Sequence, residues 1–278
     1  MLRVLLLLTL VPLGGWLFGQ LPWSGGTATL VLLAALLLTL TTRLADALRS
    51  LEIRGDGRQR WLLVASLALL LPGLLIRPDG GPGPLAALLH SGLLLLVAAL
   101  LGQLTARGLR RPAELVPVCV VAAWADLCSI RKGPTAIAVE QIGTYYQTGR
   151  QGPPPLADGL LVKALLPGTP LPLPLFGVTD AFVVALLGAA LARLELRPGP
   201  TLPLPGWRPR LHLAPAGLWL ALLLAQIGEC FVPGLVVICG LVLAWLLVRE
   251  PASRRLTKRD WQLTLLFPLL ISLGLALH

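Results

Sequence analysis

Leucine-rich runs of membrane-crossing length recur along this chain, and nothing else in it constrains the fold as strongly. They lie at roughly 3–20, 26–42, 61–77, 84–104, 112–130, 175–196, 214–228, 231–248 and 261–277. A hydrocarbon layer about 30 Å thick takes about 17–25 helical residues to cross. A helix also pairs its backbone N–H and C=O groups internally, which lipid demands. The pattern therefore predicts an all-α polytopic membrane protein with about nine transmembrane helices. Composition agrees, with 56% hydrophobic and only 13% charged residues among 278, whereas a soluble domain carries about 25% charge. The opening MLRVLLLLTLVPLGGW has the look of a signal peptide, but no A-x-A-like cleavage site follows, so it is expected to be a retained first helix.

The net charge of +10 does not point to nucleic acid, because the cations lie between the apolar runs. Arg43, Arg49, Arg54, Arg58 and Arg60 follow the second run, and Arg107, Arg110 and Arg111 precede the fifth. Arg193, Arg197, Arg208 and Arg210 follow the sixth, while Arg249, Arg254, Arg255, Lys258 and Arg259 follow the eighth. The seventh and eighth runs abut at GECFVPG and would serve equally as one bent helix. Placing every cationic cluster in the cytoplasm makes them separate crossings, with the N-terminus inside. The segment 131–174, with Arg131, Lys132, Arg150 and Lys163, becomes the one long external loop. Three regions follow: 1–111 as an N-terminal four-helix part, 112–248 as a core, and 249–278 as an extra C-terminal helix. Trp16, Trp23, Trp61, Trp207 and Trp261 stand near run ends, as an interfacial belt would.

Of thirteen acidic residues, two fall inside apolar runs, Asp126 in VVAAWADLCSI and Asp180 in FGVTDAFVVALLG. Asp126 follows Pro112 by 14 residues, about 21 Å at 1.5 Å per residue. Asp180 follows Leu175 by five, on a helix entering from outside, so both carboxylates are expected at one outer depth. Two facing carboxylates in a low dielectric share a proton, which suits hydrolysis of an amide by an acid–base pair. A membrane aspartate also serves as an ion-pair partner, a helix cap, or a proton or ion site in a transporter. No Lys or Arg lies deep in a run, which disfavours a buried ion pair. On spacing alone, transport or a proton relay stands ahead of hydrolysis.

The residues around the two acids carry a resemblance. ADLCSIRKGPTAIAVE resembles the first catalytic motif of the presenilin and signal-peptide-peptidase family, with Asp126, Lys132-Gly133-Pro134 and Val139-Glu140 matching. FGVTDAFVVALLGAA is similar to the second, with Gly177 and Asp180 matching and Thr179 in place of the second glycine. Ala125 stands where the family has an aromatic, with Trp124 one place earlier. The third motif, a Pro-Ala-Leu turn, has two candidates, Pro233-Gly234-Leu235 and Pro268-Leu269-Leu270. Topology selects the first, since the eighth run would bring Pro233 to the outer depth of the aspartates. The resemblance covers Ala122 to Val248 and implies a presenilin-like helical bundle and a divergent, prokaryotic-type member. It implies an intramembrane aspartyl protease of the inner (plasma) membrane, with Asp126 and Asp180 catalytic. Gly177, Thr179, Pro233, Gly234, Leu235, Lys132, Gly133 and Pro134 would shape the site. Transmembrane peptides would be the substrates, the bilayer the other partner, and no cofactor, metal or nucleic acid is expected. The orientation looks like the signal-peptide-peptidase sense, which implies substrates with a cytoplasmic N-terminus. The substrate helix would unwind and add as a strand against loop 131–174 and the Pro233 turn, in a groove kept open by Gly177 and Gly234.

Other readings remain open: a transporter or proton relay, a catalytically inactive family member, and a type-4 prepilin-peptidase-like enzyme. The last is ranked low because Ala181-Phe182-Val183 follows Asp180 where that family has a lysine two residues on. Glu229 is expected to cap a helix end, His90 and Ser91 to form an interhelical hydrogen bond, and Tyr145-Tyr146 to rest at the interface. Ser129 and Thr179 are expected to line a water-filled pocket. Cys119, Cys128, Cys230 and Cys239 lack metal or disulfide spacing and are expected to pack as small residues.

Overall fold

The computed structural model describes residues 56–75, 81–164, 171–196, 212–228 and 232–276. The first two apolar runs lie outside these, as do Arg43, Arg49, Arg54, Arg197, Arg208, Arg210, Trp16, Trp23, Trp207, Glu229 and Cys230. The described residues are mostly helical. In chain order come α1 (Asp56–Leu75), α2 (Pro84–Ala106), a 3-10 turn (Pro112–Glu114), α3 (Leu115–Lys132) and α4 (Pro134–Gln147). A second 3-10 turn (Leu156–Leu160) leads into strands β1 (Leu161–Ala164) and β2 (Leu173–Gly177). Then follow α5 (Val178–Arg193), α6 (Leu213–Gly228), α7 (Gly234–Arg249), a third turn (Pro251–Arg254) and α8 (Lys258–Ala276).

Each of the seven apolar runs from residue 61 onward contains one helix, and the seventh and eighth hold separate helices rather than one bent one. Two stretches, Pro84–Ala106 and Pro112–Arg131, are long and apolar enough to cross a membrane among the described residues. Helices α5, α6 and α7 have 16 residues each, about 24 Å, short of the ~30 Å hydrocarbon layer.

The segment 131–174 is not the open loop expected. Pro134 opens helix α4, a position where its missing N–H has no cost, and β1 pairs antiparallel with β2 beyond it. The sixth run likewise begins as strand, because Leu173–Gly177 pairs with Leu161–Ala164. A short apolar run does not by itself distinguish strand from helix.

Residues 1–101 with 137–182 form one compact unit, and 102–136 with 183–278 another. These boundaries differ from the expected 1–111, 112–248 and 249–278. In the second unit α7 packs on both α3 and α6, and α8 packs on α3. Leu235, Ile238, Cys239, Val242 and Leu246 make a buried stripe down α7, at the three- and four-residue spacing of one helix face. The free thiols of Cys119 and Cys239 meet there, between α3 and α7. Gly217 on α6 lets the two helices approach closely: a Cβ there would stand 2.7 Å from the Ile238 Cα. Gly217→Ala is therefore expected to force α6 and α7 apart at a cost of about 1–3 kcal/mol. A detergent-solubilised melting temperature lowered by several degrees would register it, and an unchanged one would mean that the pair repacks freely.

The α7–α8 turn is tied down by polar side chains. Ser253 is fully buried and donates to the Leu246 carbonyl at 2.8 Å. Asp260, 2% exposed, accepts from the Thr257 N–H at 2.8 Å and hydroxyl at 2.7 Å, and faces the Arg111 guanidinium at 3.4 Å. Burial by itself raises the Asp260 carboxyl, but the Thr257 donors and Arg111 outweigh it and hold the group below its ordinary value. A depressed folded-state value means that this stabilisation is complete above about pH 4, the unfolded aspartate range. It is lost as pH falls through the folded value. Asp260→Asn is expected to flatten the acid limb of a stability–pH curve, and an unaltered limb would place the acid sensitivity elsewhere.

Candidate functional site

Asp126 lies eleven residues into α3, half-buried, in the second unit. Its Oδ2 accepts the backbone N–H of Leu235 at 3.0 Å, across 109 positions of sequence. The first N–H groups of any helix have no partner in the helix itself. Pro233, the residue before α7, offers no side-chain cap, so the carboxylate from α3 supplies one. Pro233, Gly234 and Leu235 are thus brought to Asp126. Pro268 lies inside α8, where its carbonyl accepts from Ser272, and Ser272 in turn accepts from the indole N–H of Trp124 at 2.9 Å.

The Lys132-Gly133-Pro134 motif is a joint between helices. The Gly133 N–H closes α3 on the Ser129 carbonyl at 3.0 Å, and Pro134 opens α4. A Cβ on Gly133 would sit 2.6 Å from the Ser129 Cα, so any larger residue would force the joint open. The Ser129 hydroxyl is 2.6 Å from that of Thr135 and bridges the joint.

Asp180 belongs to the first unit. Because α5 starts at Val178, Asp180 is its third residue, in the first turn and not five residues deep. From there its Oδ2 reaches back to the Gly177 N–H at 3.2 Å, the carboxylate half of a capping box. A Cβ on Gly177 would meet the Thr179 hydroxyl at 3.3 Å and Asp180 Oδ2 at 3.6 Å. Thr179 is exposed. Both acids therefore engage a helix N-terminus through Oδ2, one across helices and one within its own.

A third polar group, in the first unit, was not legible in the sequence. Asp158 is 2% exposed and pairs with Lys163 Nζ at 2.5 Å. The Tyr146 hydroxyl donates to its other oxygen at 3.0 Å. The Arg150 guanidinium lies 4.7 Å over the Tyr146 ring and donates to the Pro172 carbonyl at 2.9 Å. Arg150 adopts a left-handed φ of 62°, a strained state for a residue with a side chain, and its two contacts hold it there. Burial, then the Asp158 carboxylate, push the Tyr146 phenol up. With Gly81 and Tyr145 these residues line a cavity of about 10 Å³, room for about one water.

Tyr145 is accordingly buried in this unit and Tyr146 half-buried. His90 and Ser91 bond to this segment rather than to another helix. His90 Nε2 donates to the Gly159 carbonyl at 2.8 Å, and Ser91 Oγ accepts the Lys163 N–H at 2.8 Å. Both members of the ion pair lie in the segment between the fifth and sixth apolar runs, well away from either, so no run carries a deep cation that marks it. A lone Lys within LLVKALL was its one visible trace.

No group of three or more His, Cys, Asp or Glu placed to hold a metal occurs among the described residues. The chain matches no family model, no curated protein and no solved structure.

Proposed function

We propose that this protein is an intramembrane aspartyl protease that hydrolyses peptide bonds within transmembrane segments, with Asp126 and Asp180 as the acid–base pair. The observation that carries the proposal is the 3.0 Å bond from the Leu235 amide to Asp126. It joins two of the three segments whose motifs resemble the presenilin and signal-peptide-peptidase family. In the proposed reaction one carboxylate takes a proton from water as it attacks the scissile carbonyl, and the other protonates the carbonyl oxygen. β2 pairs with β1 on one side and runs into the helix of Asp180, so its other edge would accept an unwound substrate strand. The nine-crossing presenilin-like bundle, a cytoplasmic N-terminus and residence in a prokaryotic inner membrane are parts of the same proposal.

A second reading has its own support. Both acids cap helices and Thr179 replaces a family glycine, which suits an inactive member in which Asp126 and Asp180 are structural. Cleavage of a synthetic transmembrane substrate in detergent, by wild type and by Asp126→Ala and Asp180→Ala, separates the two. Cleavage by wild type alone supports the protease, cleavage that survives either substitution removes the pair, and none by any form favours the inactive member.

A further inference from the structure

The cations at one end of the second unit are arranged beyond what orientation in a membrane requires. Arg110, Arg249, Arg255, Lys258 and Arg259 are all exposed, with no acidic partner among the described residues. They sit on two segments, the one leading into α3 and the one joining α7 to α8, whose short 3-10 turns, Pro112–Glu114 and Pro251–Arg254, pack together. The other cations there are engaged: Arg111 with Glu114 and Asp260, and Arg254 with the Leu247 carbonyl at 2.7 Å.

Helix electrostatics does not account for the rest. Arg249 closes α7, where a cation favours the helix dipole, but Lys258 and Arg259 open α8, where it opposes it. The first turn of α8 is instead served by Asp260 and Thr257. Ser253, Arg254 and Asp260 fix the turn that displays Arg255, Lys258 and Arg259, so little ordering remains to be done when an anion arrives. Positive charge beside a membrane-crossing helix directs its insertion, but a count of charges meets that need. Rigid display on packed turns is an additional feature.

We propose that this end of the second unit binds the phosphate headgroups of anionic phospholipids, through Arg110, Arg255, Lys258 and Arg259. The inference rests on the chain lying in a bilayer, whose apolar helices would hold these cations at headgroup level. The lipid phosphate carries the negative charge, and guanidinium groups engage it in paired hydrogen bonds.

The test is native mass spectrometry of the full chain in mixed micelles of detergent with equal phosphatidylcholine and phosphatidylglycerol. Orientation has no bearing in micelles, so an insertion defect does not confound a variant. Wild type is expected to retain phosphatidylglycerol over phosphatidylcholine, with the preference shrinking as salt rises. The variant R255Q/K258Q/R259Q is expected to lose about fivefold in preference for each cation removed. Equal retention of the two lipids by wild type overturns the proposal with no variant needed. An unchanged preference in the variant also overturns it, as does displacement of the lipid by inorganic phosphate at a matched concentration, which would mark a site for free anions. A chain that stays dispersed without detergent overturns both this inference and the membrane reading, whereas lipid indifference in a detergent-dependent chain overturns this inference alone.

Discussion

Asp126→Asn is expected to cut cleavage of a transmembrane substrate by about 10²–10⁴-fold, the usual worth of a general acid or base, while leaving the fold intact. The choice of asparagine separates the two jobs that the carboxylate can hold. Asn keeps an oxygen to accept the Leu235 N–H and is as good a helix cap as Asp, so α7 keeps its partner. What it loses is the proton that a hydrolytic cycle must move. Asp126→Leu loses both, and the amide left unpaired adds about 1–3 kcal/mol of destabilisation. The same logic holds for Asp180→Asn, whose amide oxygen can still take the Gly177 N–H. If capping were the whole role, both Asn variants would match wild type in activity and in melting temperature. Full activity in either Asn variant would end the case for the pair, and lost activity with an unchanged melting temperature would end the case for capping alone.

The fold was legible where one force dominates. From residue 61 on, each Leu-rich run holds one helix along most of its length, because an apolar stretch of that length has few other ways to satisfy its backbone. Loop charge alone separates the two runs at GECFVPG, and α6 and α7 are distinct helices. Legibility failed where local pairing competes with hydrophobicity. Leu173–Gly177 reads like the start of a helix, yet a cross-strand partner at Leu161–Ala164 makes it strand, which brings Asp180 into the first turn of α5. Likewise PTAIAVEQIGTYYQ repeats apolar residues at helical spacing (Val139, Ile142, Tyr146) but, at 14 residues, is too short to stand out as a membrane-length run, and α4 begins at a proline after the Gly133 joint. The bond from Leu235 to Asp126 lay in between. Order along the chain and run direction suggested that proximity, but its nature, a backbone amide donating to a carboxylate, needed coordinates. The Asp158–Lys163 pair was beyond reach, since nothing in GPPPLADGLLVKA states that both side chains turn inward.

That hidden pair carries the second large effect. Lys163→Met is expected to destabilise the protein by about 3–5 kcal/mol, because it strands a buried carboxylate without its cation. At roughly 2–4 °C per kcal/mol for a chain of this size, the melting temperature should fall by about 6–20 °C. The alternative cause of such a fall, lost packing of the lysine stem, is separated by removing the stranded charge as well. Lys163→Met with Asp158→Leu replaces an ion pair by apolar groups of similar bulk, an exchange that is often neutral. It leaves the Tyr146 hydroxyl without its acceptor, so adding Tyr146→Phe should recover most of the remaining loss. Stability should therefore be lowest for the single variant and return towards wild type as charge and hydroxyl are removed together. A triple variant no better than Lys163→Met would show that packing, not charge, governs the site. The strand register offers a second readout. Ser91 holds the Lys163 backbone N–H while Lys163 faces Pro174, next to an irregularity between Val162 and Lys163. A single variant in which the Lys163 side chain no longer anchors β1 should lose hydrogen-exchange protection along Leu161–Ala164 before the rest of its unit, and protection should return in the triple variant.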